Sequence, residues 1–108
     1  MTQTFTIHDE LPDFNAIVDA SKKHWTRYYS FKRQYTEIVW LHARADLKPF
    51  HEFPIDFCID WYCKDKRKDK DNIAAGKKFI LDGLIAAGII PSDSWRHVGD
   101  FKDRFFLD

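Results

Sequence analysis

The sequence predicts an α+β domain, a small mixed β-sheet with two main helices packed against it. Three observations carry that expectation. Phe53, Ile55, Phe57, Ile59 and Trp61 recur at every second position, the period of a strand. Tyr28, Phe31, Tyr35, Ile38, Val39 and His42 recur at three- and four-residue spacing, the period of a helix with one buried face. Ile73, Gly76, Ile80, Leu84 and Ala87 repeat that spacing and end at Gly88, a natural helix stop.

In chain order, Thr4-Phe5-Thr6-Ile7-His8 alternates and reads as a short strand, broken by Leu11-Pro12-Asp13. Ile17 to Trp25 reads as a short helix or an irregular crossing. The helix from about Tyr28 to Ala45 turns its aromatic stripe to the core and leaves Lys32, Arg33, Glu37 and Arg44 for the other face. That stripe is core rather than a platform for bases, and His42 within it is a satisfied core histidine rather than a ligand. Lys48-Pro49 closes the helix. The strand Phe53 to Cys63 turns Asp56, Cys58, Asp60 and Tyr62 outward, where the two acids are solvated. The second helix runs from Asp71 or Asn72 to about Ala87. Asp71, Ala75, Lys78 and Asp82 share an adjacent stripe, so the plain structural role of Lys78 is an ion pair with Asp82. Arg96–Phe101 and Asp103–Leu107 are short strand candidates with a polar break between them.

Length and composition bound the rest. A chain of 108 residues without repeats is one domain, residues 1–108. Ten Phe, four Trp and four Tyr supply ample core. The formal net charge is zero, so attraction to a polyanion must come from a local patch. Cys58 and Cys63 lie on opposite faces of one extended segment, too far apart for a disulfide, and without zinc-type partners. Free thiols fit a reducing cytoplasm. The N-terminus does not read as a signal peptide, and no apolar run of the chain approaches the length of a membrane span. Gly76-Lys77-Lys78 lacks the first glycine and the Ser or Thr of a phosphate loop.

The stretch with chemistry in it is Lys66-Arg67-Lys68-Asp69-Lys70-Asp71-Asn72. Two acids sit two residues apart in a basic run, directly before a helix. From Lys64 to Lys78 there are seven basic residues and three acids, which reads as the strongest positive patch of the chain. Converging carboxylates collect a hard cation such as Mg²⁺, and flanking Lys and Arg neutralise phosphates. A cation beside a phosphodiester polarises it for hydrolysis. The plainer alternative is a solvated charged loop in which Asp71 caps a helix.

Asp69-Lys70-Asp71-Asn72-Ile73, then Lys78-x-x-x-Asp82-x-Leu84, then Ala87-Gly88-Ile89 and Asp93 resembles the RusA family of Holliday-junction-resolving endonucleases, often carried by phages and prophages. Leu11-Pro12 and Asn15 are similar to that family's opening. The resemblance spans most of the chain and is densest from Trp61 to Val98. It implies a RusA-like fold and a cytoplasmic homodimer, with one site per protomer, that cuts opposed strands of a four-way DNA junction. It implies that Asp69, Asp71 and Asp93 hold Mg²⁺ and that Lys78 is catalytic. Asn72 and Asp82 take supporting roles. Lys66, Arg67, Lys68, Lys70 and Lys77 are the expected DNA contacts. Lys78 is matched by counting back from Asp82, which leaves Lys77 as the alternative. Ser92 stands where relatives often carry another acid.

Two other readings use the same residues. One is a RusA-like protein that binds branched DNA without cutting it. The other is an adaptor that docks proteins on exposed aromatic side chains. Convergence of Asp69, Asp71 and Asp93 on one ion is what the nuclease reading requires.

Overall fold

The computed structural model describes residues 1–108 and is α+β, as expected. The elements in order are α1 (Phe14–Ser21), α2 (Trp25–Asp46), β1 (Ile55–Cys63), α3 (Lys70–Ala74), α4 (Lys77–Ala86) and β2 (Val98–Leu107). No helix is long and apolar enough to cross a membrane.

Asp13 starts α1 by accepting the Ala16 N–H at 2.8 Å, one of the donors a helix N-terminus leaves open. α2 starts three residues earlier than its aromatic spacing indicates. His24 makes this possible, because its Nδ1 accepts the Thr26 N–H. The buried face of α2 follows the expected stripe, with Val39 and Ala43 fully covered. His42 is satisfied in place. Its Nδ1 lies 2.8 Å from the Ile38 carbonyl, and its Nε2 accepts the His8 N–H.

β1 and β2 form a two-stranded parallel sheet, so the sheet is not mixed. The connection between them is the helical crossover that parallel pairing needs. Ile55 pairs with Val98 at one end and Cys63 with Leu107 at the other. β2 is a single strand through the expected polar break. Lys102, the expected break, pairs with Cys58 in the ladder, and Asp103 beside it turns inward and finds two donors. Cys58 and Cys63 are free thiols.

Residues 4–8 are not a strand. Gln3, Phe5 and Ile7 are half-buried and alternate with exposed neighbours, so the side-chain pattern is that of a strand. A cleft of about 1460 Å³ lies between residues 1–13 and β1, and residues 4–8 make no backbone–backbone hydrogen bond. Alternation reports burial on one face, and only a partner within reach completes a ladder.

The expected second helix is interrupted. α3 ends at Ala74 and α4 begins at Lys77. Between them the bonds tighten to three-residue steps, with Gly76 N–H to Ile73 O, Lys78 N–H to Ala75 O and Phe79 N–H to Gly76 O. Gly76 is buried against Leu11, Pro12 and Trp61. At the other end Gly88 takes φ +75°, with Gly88 N–H on Ile85 O and Ile89 N–H on Leu84 O, a Schellman termination.

The core joins Ala43, Ile80, Leu84, Ile89 and Ile90, with Ile55, Phe57, Ile59 and Trp61 of β1 packed against it. Gly83 lets α2 and α4 meet closely, since a Cβ there would overlap Val39. Phe79 packs its ring against Phe31 and Tyr35, which sets the start of α4 beside the first half of α2.

Candidate metal and nucleic-acid site

The loop after β1 is tied down by one lysine. Lys68 Nζ reaches Asp13 at 2.9 Å and Glu10 at 3.4 Å, joining the loop to the start of α1. The Lys68 hydrogen bond and the Ala16 N–H hold the Asp13 carboxyl below the usual carboxylate range. α1 in turn meets α3, where the Asn15 N–H donates to Asn72 Oδ1 at 3.1 Å. Asn72 therefore ties α3 to the start of α1.

These contacts leave an open hollow of about 310 Å³ lined by Phe14, Asn15, Asp69, Asp71 and Asn72. Asp69 and Asp71 are thus brought together. Asp71 Oδ1 accepts the Asn72 N–H at 2.9 Å, and Asp69 caps α3 without a side-chain hydrogen bond. Neither carboxylate has a basic partner, although the loop around them is rich in Lys and Arg. Asn15 belongs to the opening that resembles the family, whereas Phe14 carries no sequence sign of this position beyond the Asp13 cap that starts its helix.

Asp93 is not with them. It sits in the exposed turn before β2, where Ser92 Oγ bonds His97 Nδ1 at 2.6 Å and Ser94 O accepts the Val98 N–H. That turn leads into Val98, which pairs with the first residue of β1, whereas Asp69 and Asp71 follow the last. Nine strand residues separate the two ends by roughly 26 Å. The crossover through α4 runs back along the sheet and delivers the chain to the far end. No group of three or more His, Cys, Asp or Glu is arranged to hold a metal ion.

The cations divide into two sets. Lys77 Nζ lies 2.7 Å from Asp103 Oδ2 and 4.4 Å from the centre of the Phe101 ring, on the covered face of the sheet. Lys78 Nζ lies 3.2 Å from Asp82 Oδ1, the pair that helical spacing indicates. Lys68 is held by Asp13, and Arg67 lies 3.8 Å from Asp65. Lys66 and Lys70 have no carboxylate partner, though Lys70 leans over Phe105 at 5.6 Å. Of the five expected DNA contacts, Lys68 and Lys77 are committed to internal ion pairs, while Lys66, Arg67 and Lys70 are exposed residues of the loop that carries Asp69 and Asp71.

Outside this region, Asp60 makes a two-pronged pair with Arg104 at 2.7 and 2.9 Å, and Asp56 accepts the Asp100 N–H at 2.8 Å. Both are cross-strand contacts of the outer face.

No family model, curated protein or solved structure matches the chain. The resemblance to the RusA family rests on the motif residues themselves.

Proposed function

We propose that this chain is a Mg²⁺-dependent, structure-selective DNA endonuclease that hydrolyses phosphodiesters in branched DNA, of the crossover-junction kind. The supporting observation is the pairing of Asp69 and Asp71 in one open hollow with no basic partner, inside a loop that offers Lys66, Arg67 and Lys70. Asp93 lies at the far end of the sheet, so the expected three-acid site is not formed and the reading rests on Asp69 and Asp71 alone. Mg²⁺ is commonly held by one or two carboxylates together with waters and substrate phosphates, which leaves room for such an ion. When bound, the cation would neutralise and polarise the phosphodiester. Asp69 and Asp71 would hold it, Asn72 would fix the loop, and Lys66, Arg67 and Lys70 would draw the phosphates in. Lys78 is the lysine that matches the family's catalytic one by position, and it would have to leave Asp82 to act. As in that family, the protein would work as a homodimer in a bacterial cytoplasm, phage- or prophage-encoded.

The position of Asp93 favours a second reading, a branched-DNA-binding protein that does not cut. A labelled four-way junction incubated with the protein, with and without Mg²⁺, separates the two. Cleavage that needs Mg²⁺ and disappears in Asp71→Asn, with junction binding retained, supports the nuclease. Salt-sensitive binding without cleavage supports the second reading, and failure to bind the junction overturns both.

A further inference from the structure

We propose that the first two turns of α2 are a docking surface for unpaired nucleotides of a nucleic acid. Between Ala20 and Thr36 the chain has five cations, Lys22, Lys23, Arg27, Lys32 and Arg33, and no Asp or Glu. Its surplus of five positive charges exceeds the surplus of four at 64–78, so this stretch, and not that loop, is the strongest positive patch of the sequence. Only Arg33 has a carboxylate partner, Glu37 at 2.9 Å. The other four keep their charge for something outside the chain, with Lys32 near the Tyr28 ring at 5.3 Å.

Two large aromatic side chains stand in the same stretch. Trp25 is 72% exposed and Tyr29 is 62% exposed. Four residues apart on a helix, they share one face, about 6 Å apart along the axis. They belong to neither the core stripe nor the Phe31–Tyr35–Phe79 cluster. Uncovered rings among unpaired cations match a single strand, whose phosphates meet the cations and whose bases stack on the rings. A duplex offers the phosphates but hides its base faces. An acidic peptide would satisfy the cations and leave both rings in water.

The placement suits this partner. α2 begins at the end of the molecule where α4 begins, because Phe31 and Tyr35 lie on Phe79. α1 leads from Phe14 and Asn15 in the hollow toward the start of α2, a span of about 12 Å. An unpaired strand leaving the hollow can therefore continue onto Trp25 and Tyr29. This continuity rests on the proposed nucleic-acid function, whereas the surface stands on its own residues. It narrows the branched substrate to one with unpaired nucleotides beside the branch.

The test is anisotropy of labelled oligothymidine with the full chain, against a blunt duplex of equal length and against polyglutamate. The wild type should prefer oligothymidine, and Trp25→Ala/Tyr29→Ala should weaken that binding by about tenfold or more. Lys22→Gln/Lys23→Gln/Arg27→Gln should lower the slope of log affinity against log salt by about two. Mg²⁺-dependent junction cleavage is measured beside oligothymidine binding in each variant, so loss of cleavage and loss of this surface are read separately. Circular dichroism checks that each variant is folded. Equal affinity for duplex, a preference for polyglutamate, or unchanged binding in the folded aromatic double variant overturns the proposal.

Discussion

Lys77 Nζ and Asp103 Oδ2 lie 2.7 Å apart between the start of α4 and the middle of β2, each side chain only 22% exposed. The Trp61 indole N–H donates to the other Asp103 oxygen at 2.9 Å. Three elements thus converge on one carboxylate, and the helix start is fixed to the sheet through it. Burial pushes the Asp103 carboxyl up, but the hydrogen bonds from Lys77 and Trp61, with the lysine charge, outweigh it and hold the group below its ordinary range. Lys77→Ala leaves that carboxylate half-covered without its cation. The expected cost is about 1–3 kcal/mol, since a covered polar group losing its partner keeps its desolvation penalty. In a domain of this size each kcal/mol lowers the melting temperature by about 4–8 °C. A thermal melt unchanged in Lys77→Ala would show that this pair does not anchor α4.

Acid should weaken the fold through two named carboxylates. Asp13 and Asp103 are both held below the ordinary value of 3.8, so the folded chain binds fewer protons than the unfolded one in mild acid. Their contribution is complete above that value and is lost as pH falls through the lower folded values. Lys68 behaves in the opposite sense. Its Asp13 hydrogen bond raises it above 10.5, so its contribution is intact at neutral pH and is lost only as pH rises past the folded value. Urea midpoints measured from pH 7 to pH 2.5 should fall less steeply in Asp13→Asn and Asp103→Asn than in the wild type. Parallel acid limbs in all three proteins would remove both residues from the account.

α2, α4 and β1 are legible in the sequence because each has a face period that burial enforces, whereas α1 lies at Phe14–Ser21, ahead of the 17–25 stretch read as a short helix or crossing. Val39, Ile80, Leu84 and the Phe57–Ile59–Trp61 row fall where their spacing puts them. What is not legible depends on partners far along the chain. Residues 4–8 alternate as a strand does, yet β1 lies across a cleft from them. The break at Gly76 follows from Leu11, Pro12 and Trp61 closing on one glycine, which no local pattern reports. At the candidate site, Asp69 and Asp71 are neighbours by chain proximity alone, and their meeting is legible. The position of Asp93 is set by the direction of the crossover, which spacing does not encode.

Gly83 should be intolerant of the smallest side chain. A Cβ at this position would overlap the Val39 side chain and press on the Trp40 backbone, in the contact that brings α2 and α4 together. Val39 is fully buried and has no free direction in which to give way. Alanine normally favours a helix over glycine, so propensity alone predicts stabilisation by about 1 kcal/mol. Overpacking a filled core costs about 1–3 kcal/mol, and it should prevail here. A lower urea midpoint for Gly83→Ala is the expected result. A higher midpoint would mean that the two helices separate without penalty.

Gly88 tests the turn that sends the chain to β2. Its φ of +75° is a left-handed conformation, and nothing lies within 4 Å of where its Cβ would be. Gly88→Ala should therefore cost backbone strain without steric overlap, about 1–2 kcal/mol.

The loop lysines offer a test in which stability and binding separate. Lys66 and Lys70 have no carboxylate partner, whereas Lys68 bridges to Asp13 and Lys77 to Asp103. Replacing an unpartnered lysine by Gln removes a cation that phosphates can use and leaves every internal ion pair intact. Replacing a bridging lysine removes a strut first. Lys66→Gln/Lys70→Gln should keep the wild-type melting temperature and weaken four-way junction binding at every sequence tested. Its slope of log affinity against log salt should fall by about two, because two released counterions are no longer displaced. Lys68→Gln/Lys77→Gln should show the reverse, a clear loss of melting temperature with the salt slope little changed. Identical slopes in Lys66→Gln/Lys70→Gln and the wild type would mean that the phosphates do not pass this loop, and would leave the hollow at Asp69 and Asp71 without a route for DNA.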